Sequence, residues 1–222
     1  MSRRQRYTWF APAYDVFAGD WPVYRVGRVT GISALRLHPG TVVVDIGCGT
    51  GLNFPLLHQA VGSTGRIIGV DSSAEMLAQA RAKASRNGWE NVDLVCADAT
   101  TLTPAQLGQR SAEDGGEGVA EAVLFTYSLS LMRDWPAAWR AATTAARPGA
   151  RVAVVDMALP TGAATVFAPL TRLACAVGGS DISAHPWTAV ERDCTDIKSW
   201  SLRGGHLQVR AGTIVRTLPG GS

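Results

Sequence analysis

At 222 residues the chain is long enough to bury a sizeable core in one α/β domain with an appendage, and short for two domains. With 46% hydrophobic and 18% charged residues it reads as a globular protein, and no apolar run approaches the roughly 18 residues of a membrane helix. The net charge of +3 is carried by scattered basic residues, which does not imply nucleic acid, and Cys48, Cys96, Cys175 and Cys194 lack CxxC or Cys/His metal spacing, so reduced thiols in a cytoplasmic protein are expected.

The start, MSRRQRYTWFAPAYD, has arginines but no long apolar run and predicts no secretory leader. Between residues 5 and 37 fall Tyr7, Trp9, Phe10, Tyr14, Phe17, Trp21 and Tyr24, spaced for one or two short helices broken at Pro12, Gly19 and Pro22. Singly, such rings pack an appendage onto a sheet; as a group they suggest more than packing. Arg25 and Arg28 follow within a turn and are either solvated or meet an anionic group.

The stretch TVVVDIGCGTGLNF, Thr41 to Phe54, carries most of the functional information. Thr41 to Val44 read as a buried central strand ending near Asp45. Gly47, Gly49 and Gly51 then form G-x-G-x-G, a turn in which backbone takes positive φ and approaches a ligand with no Cβ in the way. A helix follows from about Asn53, so loop and helix N-terminus are expected to aim N–H groups at a nucleoside or its charged tail. A dinucleotide fingerprint needs G-x-G-x-x-G, and Leu52 stands where its last small residue belongs. An acid two residues before G-x-G-x-G closely resembles motif I of the class I methyltransferases that use S-adenosylmethionine (SAM).

Strands and helices then alternate regularly, the mark of a doubly wound parallel sheet. RIIGVD, Arg66 to Asp71, is the second strand, and Asp71 at its carboxyl end suits both hydroxyls of a ribose. Ser72 to Ala84 reads as an amphipathic helix with Ser72 or Ser73 as cap and Met76, Leu77 and Ala80 on one face. VDLVCAD, Val92 to Asp98, is the third strand. Asp45, Asp71 and Asp98 thus close three consecutive strands at the edge where open parallel sheets bind ligands. Gln109 to Gly118 is a polar, glycine-rich surface loop.

The fourth strand, Val119 to Ser128, leads into a helix capped by Asp134 and running to about Ala146. Ala150 to Pro160 is the fifth strand, Thr165 to Val177 a mostly apolar helix or cover, and Gly178 to Trp187 a loop on the acceptor side. Two last strands, Cys194 to Leu202 and Leu207 to Val215, flank the turn Arg203-Gly204-Gly205-His206.

The class I resemblance covers about residues 7 to 215. It implies a Rossmann-like, seven-stranded, mostly parallel sheet of order 3-2-1-4-5-7-6 with helices on both faces, in one domain with an N-terminal helical cap over 1–37 and a SAM-binding core over 38–215. It implies SAM as cofactor, held by Asp45, Gly47, Cys48, Gly49, Thr50, Gly51, Asn53, Asp71, Ser72, Met76, Asp98, Ala99 and Thr126. In that reading Asp71 takes the ribose, Met76 packs near the adenine and Asp98 accepts its exocyclic amine. YDVFAGDWPVYR, NFPLL and TYSLSLMRDW also resemble the bacterial branch related to phosphatidylethanolamine and betaine-lipid N-methyltransferases. That branch implies a small-molecule or lipid-headgroup acceptor, nitrogen favoured over oxygen, and transient contact with a membrane surface.

Tyr14 and Tyr127 are expected to face the acceptor, with Tyr24 as a further candidate, because rings attract the cation that a methylated amine becomes. His206 is needed only if a proton must be removed, with His185 and Asp134 as the other bases on offer. Alternatives are an O-methyltransferase of a phenolic or quinone-type metabolite and a non-catalytic SAM-binding protein. The sequence fixes no oligomeric state.

Overall fold

In a computed structural model the chain is described over residues 22–108, 119–162, 165 and 181–215. Tyr7, Trp9, Phe10, Tyr14, Phe17, Trp21, the loop expected from Gln109 and most of the helix expected from Thr165, with Cys175, lie outside the described residues. The central strand β1 (Val42–Ile46) pairs in parallel with β2 (Arg66–Asp71) and β4 (Ala120–Thr126). β2 pairs in parallel with β3 (Val92–Cys96), and β4 with β5 (Ala146–Met157). β7 (Leu207–Ile214) runs antiparallel to both β5 and β6 (Cys194–Leu202), completing a seven-stranded sheet of order β3-β2-β1-β4-β5-β7-β6. β6 therefore points the same way as β1 to β5, and the turn after it lies on their carboxyl edge.

Alternation along each strand divides the core between the two faces. Val43, Leu124 and Ala153 pack with Ile32 and Leu35 of the α1 region (helix Pro22–Ala34) and Leu57 of α2 (Phe54–Val61). Ile46, Phe125 and Val154 pack on the other face with Trp139 of α4 (Trp135–Thr144), α3 being Ala74–Arg86. The Trp139 indole N–H donates to Asp193 Oδ2 at 2.7 Å, which ties α4 to the end of α5 (Thr188–Asp193). Asp45 and Thr126 follow the first alternation, so both point to the face that α1 and α2 cover.

Several boundaries move for local reasons. β3 stops at Cys96, because Asp98 instead caps a short 3-10 turn, Ala99–Thr101, by accepting from Thr100 N. β5 begins at Ala146, earlier than expected, through a register shift against β4 between Ala120 and Ala122. β4 stops at Thr126, where Tyr127 takes a φ of +54°, a left-handed conformation that a bulky residue holds only under constraint.

Pro22 opens helix α1, as befits a residue with fixed φ and no N–H to leave unpaired. Helix α1 then continues through Gly27 and Gly31, one turn apart, which serve close approach. A Cβ on Gly27 would lie 2.2 Å from the Tyr127 hydroxyl, and one on Gly31 2.4 Å from Val155 Cγ2. These two positions let α1 sit flat on β4 and β5 near their carboxyl ends.

Gly31→Ala should therefore lower stability: overpacking of about 1–3 kcal/mol outweighs the roughly 1 kcal/mol that alanine gains in helix propensity. Chemical denaturation would read it, and Val155→Ala in the same chain should restore part of the loss. A Gly31→Ala protein more stable than its parent would contradict the close approach.

Candidate functional site

The site is built on a buried carboxylate. Asp45 has no exposed surface, and the Asn53 side-chain nitrogen donates to its two oxygens at 3.1 and 3.0 Å. The same nitrogen donates to Thr126 Oγ1 at 2.7 Å, so one side chain joins β1, β4 and the start of α2. Asn53 is the residue before α2 yet caps it with no side-chain hydrogen bond, because its amide is engaged below the loop. Burial pushes the Asp45 carboxyl up to about 7, against the pull of Asn53 and then the Arg28 charge. Asp45, Asn53 and Thr126, expected to hold cofactor, are thus brought together as a support beneath the glycine loop.

Above them Gly47, Gly49 and Gly51 take φ of +71°, +55° and +74°, the conformations the motif predicted. The N–H groups of these three glycines and of Cys48 are engaged within the protein. Gly47 N and Cys48 N both donate to Val70 O, Gly51 N donates to Cys48 O, and Gly49 N donates to Asp71 Oδ2 at 2.9 Å. The loop folds back on the end of β2 and satisfies those donors itself. What it offers outward is space: among the described residues, a Cβ built on Gly49 meets nothing within 4 Å. The Cys48 thiol turns inward beside Gly69, and burial holds its pKa well above the ordinary value, which leaves it an inert core thiol. Thr50 is likewise buried.

Asp71 at the end of β2 accepts from Gly49 N and, through its other oxygen, from Ser73 N, each at 2.9 Å. It joins the loop to the cap of α3, where Ser73 rather than Ser72 accepts from Met76 N. Its oxygens retain further lone pairs, the acceptors a ribose diol requires. Burial raises its pKa, opposed by these backbone bonds. Asp98 is exposed, and the two hydrogen bonds from Thr100 hold its carboxyl below the usual range. Met76 and Ala99 are buried beside this edge, and Ser72 is exposed.

On the other side of the switch point Tyr127, Tyr24, Arg28 and His206 converge. The Tyr127 hydroxyl donates to Tyr24 O at 2.8 Å, and the two rings meet edge-on with centroids 5.3 Å apart. The guanidinium carbon of Arg28 lies 5.2 Å over the Tyr127 ring. His206 lies 6.2 Å from Tyr24, ring to ring, with Nδ1 2.8 Å from Ala158 O. A carbonyl only accepts, so Nδ1 carries the proton and Nε2 carries the lone pair when the ring is neutral. Tyr127 itself is no base, since burial pushes its pKa further above the ordinary tyrosine value. Tyr14 lies outside the described residues, Asp134 is exposed as the cap of α4, and His185 is exposed, its ring tilted against that of Trp187.

Sequence reasoning missed Asp156. It is fully buried at the end of β5, accepts from Ser130 N and Ser130 Oγ, and so fixes the turn after β4. An acid inside the apolar run VAVVDM was the signal. Among the described residues no cluster of His, Cys, Asp and Glu is placed to hold a metal ion, and no helix is long and apolar enough to cross a membrane.

An open space over Gly49, a carboxylate with spare lone pairs beside it, and a cation near the switch point fit a nucleoside with a charged tail. The comparisons agree. Residues 43–149 match the family described as "Methyltransferase domain". The chain is 30% identical over 154 residues to the 2-phytyl-1,4-naphtoquinone methyltransferase of Nostoc sp., covering 68% of this chain and 62% of that one. It is 30% identical over 119 residues to the arsenite methyltransferase of Halobacterium salinarum, covering 54% and 28%. The chain thus spans less than two thirds of either relative's length. The crystal structure of a SAM-dependent methyltransferase from Aquifex aeolicus superposes with a TM-score of 0.60 at 16% identity, covering 92% of this chain and 98% of that one, which shows the shared fold.

The two buried acids generate a pH dependence. Burial raises Asp45 to about 7 and Asp156 to about 6, both above the ordinary 3.8, so the folded state binds their protons more tightly than the unfolded chain does. Their contribution is fully present below the ordinary value and is lost as pH rises through about 6 and then about 7. Thermal unfolding across this range should show stability declining with pH, and Asp156→Asn should flatten the lower part of the decline. A wild-type protein whose stability rises over that window would contradict the burial of these acids.

Proposed function

We infer, from the premise that residues 43–149 are a SAM-dependent methyltransferase domain of class I fold, that the whole chain transfers a methyl group from SAM to a small-molecule acceptor. The observation that carries the reading is the pairing of open space over Gly49 with Asp71 beside it, on the edge where three strands end. When bound, SAM supplies a sulfonium methyl already activated for in-line attack. The chain's own task is to hold donor and acceptor collinear, worth roughly 7–11 kcal/mol. Gly49 gives the nucleoside room, Asp71 takes the ribose, and Asp98 stands at the adenine end as an ionised acceptor.

The amine acceptor suggested by the ring-rich sequence finds little support in the arrangement around Tyr127. One face of that ring meets the Arg28 guanidinium, its edge meets Tyr24, and its hydroxyl is committed to a carbonyl. A second cation beside Arg28 would be repelled. An oxygen or carbon acid of phenolic or quinol type suits a site that offers a fixed cation and the Nε2 lone pair of His206, and a relative named for a naphthoquinone acceptor supports that class. His206 is then the base that removes the acceptor's proton.

Labelled SAM turned over against phenols, quinols, amines and aminophospholipids decides among acceptors, with the quinol or phenol class expected to react. Gly49→Val, folded by circular dichroism, should lose SAM affinity by about tenfold or more, since a branched side chain fills the nucleoside space at a positive φ. His206→Asn should lower kcat by roughly 10²–10⁴ at unchanged SAM affinity. A fully active His206→Asn with amines as the preferred acceptors would restore the nitrogen reading.

A further inference from the structure

The start of β7 and the exit from β5 are joined in a way that a regular ladder is not. The last paired residues are Met157 and Leu207, and the next pair in that register is Ala158 with His206. Ala158 N donates to His206 O at 2.8 Å. In an antiparallel ladder a facing pair that makes one such bond makes both, so the return donor to Ala158 O should be His206 N. Instead His206 N turns to Arg203 O at 3.3 Å, inside its own hairpin, and the imidazole Nδ1 stands 2.8 Å from Ala158 O in its place. The side chain has taken over the hydrogen bond of its own backbone.

The shape of the turn keeps the backbone N–H from reclaiming that carbonyl. Arg203, Gly204 and Gly205 take φ of +53°, +63° and +85°, three left-handed residues in succession, and a side-chain-bearing residue at the first of them is held there at a cost. The segment that follows β5 clasps this turn from outside. Thr161 N donates to Gly204 O at 2.8 Å, and Gly205 is buried against the Thr161 side chain. A Cβ on Gly205 would lie 2.5 Å from Thr161 Oγ1 and 3.3 Å from Thr161 N, so the clasp closes to this distance only on a glycine. An imidazole bound through Nδ1 to a fixed carbonyl has its ring plane and its tautomer set together. A histidine in water favours the proton on Nε2, so His206 holds the less common form because the ladder asks it for a donor.

We propose that Gly205 and Thr161 are positioning residues for His206: their contact holds the hairpin closed, so that the imidazole rather than the backbone N–H completes the ladder and the Nε2 lone pair is presented in one orientation on the carboxyl edge. The proposal rests on the reading of His206 as the base for the acceptor. It supplies what that reading requires of the second ring nitrogen, an acceptor that fixes it, and the acceptor is the Ala158 carbonyl. Gly205 and Thr161 act through His206 and take no part in the proton transfer. The clasp also lies outside residues 43–149, so the base is set by the part of the chain beyond the matched domain.

Imidazole nitrogen-15 resonances of the histidine-labelled full chain report the tautomer directly, and His206→Asn identifies the signal among the four histidines. The spectra are taken about two pH units above the ordinary histidine value of ~6.5, where the ring is neutral. Wild type should carry the His206 proton on Nδ1. Gly205→Ala should move it toward Nε2 and lower kcat with a phenol or quinol acceptor by about tenfold or more at unchanged SAM affinity. Alanine at this φ also strains the backbone, and adding Thr161→Ala separates the two effects: relief of the contact should restore the Nδ1 proton and part of the rate. If Gly205→Ala does not fold, Thr161→Pro, which removes the N–H given to Gly204, should shift the tautomer in the same direction. A wild-type proton on Nε2, an unshifted tautomer in the folded single variant, or a double variant no better than Gly205→Ala alone overturns the positioning role. A tautomer that shifts and recovers as expected with turnover unchanged overturns instead the reading of His206 as the base.

Discussion

A charge buried in the middle of a parallel sheet constrains everything around it. Asp45 has no access to water, and an uncompensated carboxylate in that position would cost several kcal/mol. Asn53 answers both of its oxygens and reaches Thr126 as well, so compensation arrives from the residue that opens α2 and from the neighbouring strand. The start of α2 is thereby fixed relative to β1 and β4, and with it the path of the glycine loop above. A purely apolar contact would be non-directional; this network specifies where the loop lies.

The second tie runs through Asp71. By accepting from both Gly49 and Ser73 it joins the crest of the loop to the cap of the next helix, so one carboxylate shapes the cradle it is proposed to serve. On the far side, Asp156 does the same for the turn after β4, through Ser130. Ser128, two residues earlier, donates to Ile46 O at 2.8 Å, and its side chain fills the place a Cβ on Gly47 would need. The glycine loop and the turn after β4 are thus pinned to the same edge of the sheet. Rigid placement of this kind is what a positioning reaction asks of its scaffold.

The sheet was largely legible because hydrophobic periodicity and strand-ending acids are local signals. VVVDI, RIIGVD and the cap at Ser73 appear much as expected. The G-x-G-x-G conformation was legible too, since positive φ follows from residue type. Where the amides point was not, because Gly47 and Cys48 find Val70 O and Gly49 finds the Asp71 carboxylate, both on a different strand. Arg28 was visible as a charge, but its burial depends on Gly27 and Gly31 admitting α1 to the sheet, which appears only when helix and strands are paired. The Tyr127 ring looked available for a cation until the helix beside it placed one there. In each case the missing information is a contact between residues far apart in sequence.

The most direct measurement is a crystal structure of the chain with S-adenosylhomocysteine. The account predicts adenosine lying over Gly49, with both ribose hydroxyls within about 2.6–3.2 Å of the Asp71 carboxylate oxygens. A nucleoside bound away from the carboxyl edge of β1 and β2, or one that leaves Asp71 untouched, would contradict it.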